Sequence, residues 1–157
     1  MTAKKELRAE VEIDADPDSV WAVLMDFAAY PDWNPFIHPI EGTQQVGARL
    51  KLRIQPPNSR GTSLTPHVTV VEPARAFGWL GSLGVPHIFD GAHRFELEPI
   101  DGGRRTRFVQ SERFRGVLMP FVRRSVLPST LRGFQAMNLA LGFPETTGLV
   151  LSRFFPC

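Results

Sequence analysis

Of the 157 residues only one, Cys157, is a cysteine, so neither an intrachain disulfide nor a cysteine-based zinc cluster can form. Long hydrophobic runs are missing as well. Gly116-Val117-Leu118-Met119-Pro120-Phe121-Val122 is one of the most apolar stretches, far short of the ~20 residues that a membrane span requires. Met1 to Arg8 carry positive charge with no apolar segment behind them, so no signal peptide is expected and the chain reads as a soluble, cytoplasmic protein. The sequence has no Gly-x-Ser-x-Gly elbow, no Gly-x-x-x-x-Gly-Lys-Ser/Thr loop and no Gly-x-Gly-x-x-Gly turn, which removes the common nucleophile and phosphate motifs. No cofactor is expected. Lysine is scarce, and Lys and Arg together number 18 against 16 Asp and Glu, a formal net charge of +2. Arg104-Arg105-x-Arg107 and Arg123-Arg124 are short basic clusters without an accompanying recognition motif, so no nucleic-acid partner is expected.

What is present is enough for one sizeable core. Hydrophobic residues make up 43% of the chain, and a domain of this size buries roughly 70% of the surface its unfolded chain exposes. Leu7, Ala9, Val11 and Ile13 alternate with Arg8, Glu10, Glu12 and Asp14, the pattern of a strand with one wet face. Asp16-Pro17-Asp18-Ser19 then supplies a capping carboxylate, a proline suited to the first helical position and an acid in the first turn. The spacing of Val20, Trp21, Val23, Leu24, Phe27 and Ala28 predicts a helix that stops at Tyr30-Pro31, followed by a tight turn over Asp32-Trp33-Asn34-Pro35.

Six β-type runs follow: Phe36 to Glu41, Ala48 to Gln55, Leu64 to Glu72, Ala76 to Leu83, Ile88 to Glu98 and Arg104 to Phe114, separated by Pro, Gly and Asn. Close neighbours of this kind are most simply joined as an antiparallel meander. Met119 to Leu141 returns to helical spacing, with Pro128 predicting a kink or break near Leu127. The expected class is α+β: a seven-stranded antiparallel sheet, two short helices between strands 1 and 2, and a long C-terminal helix covering the apolar face.

Asp26-x3-Tyr30-Pro31-Asp32-Trp33-Asn34-Pro35-Phe36, placed just after a helix that opens with Asp16-Pro17-Asp18-Ser19-Val20-Trp21, resembles the START-like, polyketide-cyclase-type superfamily known as SRPBCC. Val71-Glu72-Pro73, Phe77-x-Trp79, Gly91-x-His93-x-Phe95-x-Leu97 and Gln110-x-Glu112-x-Phe114-x-Gly116 look like its strand motifs in the expected order. The resemblance covers about residues 6 to 141. It implies a helix-grip fold, in which the sheet curls around the long helix and leaves a cavity for lipids, polyketides or other apolar molecules. Some relatives catalyse cyclisation or dehydration, others carry ligands, and a few are chaperone partners. One START-like domain over 1–141 is therefore expected, with an atypical apolar tail over 142–157 where Gly142-Phe143-Pro144-Glu145 interrupts the helix. A late addition, a changed reading frame and a dimer contact are all open readings of that tail, and monomer and homodimer both stay open.

The last hairpin carries the sharpest local inference. A turn over Asp101 to Arg104 sets Ile100 opposite Arg105, Leu97 opposite Phe108, Phe95 opposite Gln110 and His93 opposite Glu112, and opposed residues share a face. Three large apolar groups make that the inward face, which leaves Arg94, Glu96, Glu98, Arg107 and Arg113 in water. An imidazole, an amide and a carboxylate are thereby placed in an apolar sheet, where each would cost about 1–3 kcal/mol if left unpaired. A structural network, a ligand contact and an acid/base pair formed by His93 and Glu112 are all compatible with this placement.

Trp33, Phe36, Phe77, Trp79 and Phe95, with Phe134 and Met137 of the long helix, are the candidate apolar walls of the cavity that the resemblance implies. Core packing explains each of them equally well. Asn34 reads as a turn-closing side chain. His87, Asp90 and His93 contain ligand-type groups, but a continuous strand would hold the two histidines about 20 Å apart, so no metal site is expected. His38 and His67 read as strand-end or solvent-facing residues. Arg123-Arg124 beside Leu118, Met119, Pro120 and Phe121 allows transient contact with an anionic membrane. The leading expectation is binding of a hydrophobic small molecule, with a cyclase or dehydratase activity and an interaction protein as the alternatives.

Overall fold

The computed structural model describes residues 3–82, 87–122, 124 and 126–142. The expected tail and the turn at Leu83-Gly84-Val85-Pro86 lie outside the described residues, apart from Gly142. Strand β1 (Ala3–Ile13) leads into α1 (Pro17–Met25), a 3-10 turn (Phe27–Ala29) and α2 (Tyr30–Trp33). Seven strands follow: β2 (Ile37–Glu41), β3 (Lys51–Ile54), β4 (Thr62–Leu64), β5 (His67–Glu72), β6 (Ala76–Ser82), β7 (Asp90–Ile100) and β8 (Arg105–Gly116). The described chain closes with α3 (Met119–Val122) and α4 (Val126–Gly142).

The architecture is the expected α+β helix grip, but among the described residues it has eight strands in two sheets instead of seven in one. One sheet runs β1-β8-β7-β6-β5 and the other β2-β3-β4, all pairs being antiparallel. The expected run from Leu64 to Glu72 breaks at Thr65-Pro66, because proline has no N–H to continue a ladder. Residues 47–50 turn away from β3 and bond to the chain around Pro66 and Val68 instead, through Leu50 N to Pro66 O and Val68 N to Ala48 O, each 2.9 Å. The simple meander is corrected in the same way: β8 returns beside β1, so the first strand closes the edge left by the last.

The helical segment after β1 also differs from a single helix ending at Tyr30. Asp16 caps α1 as expected, accepting from the Ser19 amide at 2.9 Å with Pro17 in the first turn. The helix stops at Met25, where Asp26 has φ −83 and ψ 77. Pro31 then opens α2 rather than closing α1, since the first turn of a helix needs no amide donor. Asn34 closes this turn, its side-chain oxygen accepting from the amides of Phe36 and Ile37 at 2.9 Å each.

Helix α4 packs against β1 and β8. Its buried residues Leu127, Thr130, Gly133, Phe134, Met137, Asn138 and Leu141 recur at three-and-four spacing along one stripe. The break expected near Leu127 falls just before Val126, which leaves Pro128 in the first turn where it is tolerated. Gly133 is needed for closeness: a Cβ there would collide with the ring of Phe36, whose edge meets Phe134 at a centroid distance of 5.7 Å. The short segment after β1 is thereby clamped onto the long helix.

Candidate functional site

The register of the β7–β8 hairpin is the one read from the sequence, with Ile100 opposite Arg105, Leu97 opposite Phe108, Phe95 opposite Gln110 and His93 opposite Glu112. Trp79 of β6 lies opposite His93 in turn, so indole, imidazole and carboxylate form one row across three strands on the inward face. The imidazole lies flat on the indole, with centroids 4.5 Å apart and planes 7° from parallel, and meets the edges of Phe95 and Phe134 at 4.9 and 5.2 Å. His93 Nδ1 is 3.5 Å from a Glu112 carboxylate oxygen, and neither ring nitrogen has a hydrogen-bond partner among the described residues. Glu112 gains its place from Gly91, where a Cβ would collide with the carboxylate.

A cavity of about 240 Å³ opens beside this row, between the ends of β3, β4, β6, β7 and β8 and the first turn of α4. Its aromatic wall is Trp79 with Phe89 and Phe114, the last two stacked at 5.4 Å, and Ile54, Leu64 and Val126 add aliphatic surface. Glu112 supplies its buried acid. Thr130 of α4 also faces it, with the hydroxyl proton given to the Val126 carbonyl at 2.8 Å.

Of the ten residues expected at a site, the structure brings Trp79 and Glu112 onto the cavity wall. His93 is not among the residues that line the cavity, and its ring is stacked on Trp79. Trp33, Phe36, Phe77, Phe95, Phe134 and Met137 are buried in the packed core. Gln110 is wholly buried too, its amide nitrogen directed at Met137 Sδ at 3.2 Å and at Asn138 Oδ1 at 3.4 Å. Phe89, Gly91 and Phe114 are outside the expected site set, although they share the parity of His93 and Glu112, so extending the hairpin register finds them. Ile54 and Leu64 carry no such signal, because only the seating of the second sheet brings them near.

The His87, Asp90 and His93 side chains do not meet at one point: His87 Nδ1 lies 3.8 Å from an Asp90 carboxylate oxygen, but His93 is on the other face of the sheet. His87 precedes β7 and is exposed, Asp90 points to the outer face near Arg115, and His93 points inward. Among the described residues no group of three or more His, Cys, Asp and Glu side chains is placed to hold a metal ion. Exposed apolar residues lie on the two segments that lead into β7 and out of β8. Ile88, Val117, Leu118 and Phe121 are exposed, Phe121 by 81%, and the two segments are joined by a bond from Leu118 N to Ile88 O. Among the described residues no helix is long and apolar enough to cross a membrane.

A curled antiparallel sheet gripping a long helix, with a cavity at one end, defines a helix-grip domain. Residues 4–141 match the family described as polyketide cyclase / dehydrase and lipid transport, and the chain belongs to that family. Among solved structures it is similar to the Zhui aromatase/cyclase from Streptomyces sp. R1128, at 18% identity and TM-score 0.72, covering 97% of this chain and 96% of that one. It is also similar to norcoclaurine synthase from Thalictrum flavum, at 16% identity and TM-score 0.70 over 98% of each chain. Identities this low establish the shared fold. No curated protein matches the chain in sequence.

Proposed function

We propose that this protein binds a small hydrophobic molecule in the cavity between its sheets and α4, with Glu112 as the polar anchor. The observation that carries this reading is the cavity itself: about 240 Å³, with Trp79, Phe89, Phe114, Ile54, Leu64 and Val126 for walls and one buried carboxylate. An apolar cavity of about 150 Å³ accepts benzene. The space here suits a molecule of one or two rings, or a short chain, rather than a whole membrane lipid. Family membership supports an apolar ligand.

The test is native mass spectrometry of the protein purified from its own host, followed by organic extraction. A retained apolar molecule of this size is expected, with loss of retention in Val126→Phe, which fills the cavity. Failure of toluene, indole and similar probes to bind the emptied protein would end the reading.

A second reading is favoured by one contact, that between Glu112 and His93. An acid facing an apolar cavity with an imidazole behind it is placed for proton transfer to or from a bound molecule. In that reading Glu112 is the acid/base and His93 a positioning residue. Glu112→Gln would then abolish turnover of the extracted ligand while leaving uptake of a neutral probe nearly intact, and retained turnover would remove Glu112 from the role.

A further inference from the structure

The charge inventory of the cavity narrows the ligand class, and this step rests on the binding reading above. None of the described residues lining the cavity is Lys, Arg or His. Its charged group is the Glu112 carboxylate, which has only acceptor sites when ionised; the remaining polar side chains are the neutral hydroxyls of Ser59, Thr62, Ser82, Ser129 and Thr130, and that of Thr130 has already given its proton to Val126. Among the described residues the ion-pair contact of Glu112 is with His93 Nδ1 at 3.5 Å, longer than a good hydrogen bond. A buried carboxylate without a firm partner is costly, and a ligand that brings a cation or several donors relieves that cost.

The rest of the wall agrees with a cation. Trp79, Phe89 and Phe114 present π-faces or edges around the same space, and a cation held against aromatic faces gains further attraction. The beginning of α4 at Val126 is the electropositive end of a helix and would by itself attract an anion. Glu112 already places a negative group at that cavity. A second anion would face it across an apolar space, where like charges repel far more strongly than in water.

We infer that the cavity selects small aromatic or aliphatic molecules bearing a protonated amine, with the ammonium on Glu112 and the apolar part against Trp79, Phe89 and Phe114. Ligands of the carboxylate and phosphate classes are rejected. Size and charge together give the selectivity.

The experiment compares benzylamine, benzyl alcohol and benzoate by isothermal titration of the full chain, with amide chemical shifts of Gly91 and Thr130 reporting the site. Benzylamine is expected to bind at least about tenfold more tightly than benzoate, with benzyl alcohol between them. In Glu112→Gln the difference between amine and alcohol should collapse. Equal or tighter binding of benzoate at the same amides would overturn the inference while leaving the cavity as a binding site. An amine preference that persists unchanged in Glu112→Gln would overturn it as well. If none of the three probes, nor toluene, shifts Gly91 or Thr130, the binding reading fails and takes the inference with it. The comparison on the unaltered protein decides the matter even if the variant does not fold.

Discussion

The Phe36 ring occupies the space over Gly133 that any side chain at that helical position would need. Replacing Gly133 by Ala gains about 1 kcal/mol of helix propensity but forces a buried ring out of a packed site, which costs about 1–3 kcal/mol or more. Net destabilisation is expected in urea unfolding. Combined with Phe36→Leu, the two changes should be less than additive by about 1 kcal/mol, because the smaller side chain yields the space.

Gly91 answers to a different neighbour. A Cβ there meets the end of the flexible Glu112 side chain, which can swing aside. Gly91→Ala should therefore leave stability within about 0.5 kcal/mol while displacing the carboxylate from the cavity. Titration with benzylamine and with toluene separates the effects: amine affinity should fall and toluene affinity should stay.

The Tyr30 hydroxyl donates to the Leu24 carbonyl at 2.8 Å inside the core. Burial, reinforced by the nearby Asp26 charge, raises its pKa far above the usual tyrosine value. Because the folded state holds the protonated phenol, this contribution is fully present below about pH 10 and is lost as pH rises toward the folded value. Tyr30 is the single tyrosine. Absorbance at 295 nm should rise together with loss of the far-ultraviolet helix signal, rather than near pH 10 in the folded protein. Tyr30→Phe should cost about 1–2 kcal/mol, since the Leu24 carbonyl loses its donor.

Asp16 lies at the opposite end of the pH scale. The Ser19 amide that it accepts holds its carboxyl below the ordinary carboxylate value. Its stabilisation of α1 is present above about pH 4 and disappears as pH falls through the lowered folded value. Asp16→Ala should cost about 1 kcal/mol at neutral pH. The gap between variant and parent should close in acid, as followed by thermal unfolding.

Ile88, Val117, Leu118 and Phe121 are exposed apolar residues, and exposed Arg113, Arg115 and Arg124 flank the last three in sequence. Apolar residues with flanking cations suit an anionic bilayer surface. Co-sedimentation with vesicles of mixed phosphatidylcholine and phosphatidylserine should exceed that with phosphatidylcholine alone and should fall in Phe121→Asp. Equal recovery with both vesicle types would count against charge-assisted docking.

Much of this molecule was legible in the chain because short-range rules govern it. Alternation in β1, the Asp16 cap and the turn at Asp101 to Arg104 depend on residues a few positions apart. The turn then sets which of His93, Gln110 and Glu112 face inward without knowledge of anything else. Less legible was the fate of Pro31 and Pro66. A proline forbids a donor but does not say whether the chain will open a helix there or split a strand, and packing against neighbours made that choice. The site was readable to the same degree. Parity placed Glu112 and His93 inward together, yet could not say that Glu112 would line a cavity and His93 would not.

The sequence by itself determined the order of elements, the inward row of the last hairpin and the amphipathic stripe of α4, since period and turn chemistry are local properties of a chain. Only the tertiary structure decided which inward residues are core and which are wall. That distinction depends on where α4 seats against β1 and Phe36, and on the second sheet that brings Ile54 and Leu64 to the cavity, contacts between residues far apart in sequence. The cavity is the space these elements leave unfilled, and no single segment encodes it.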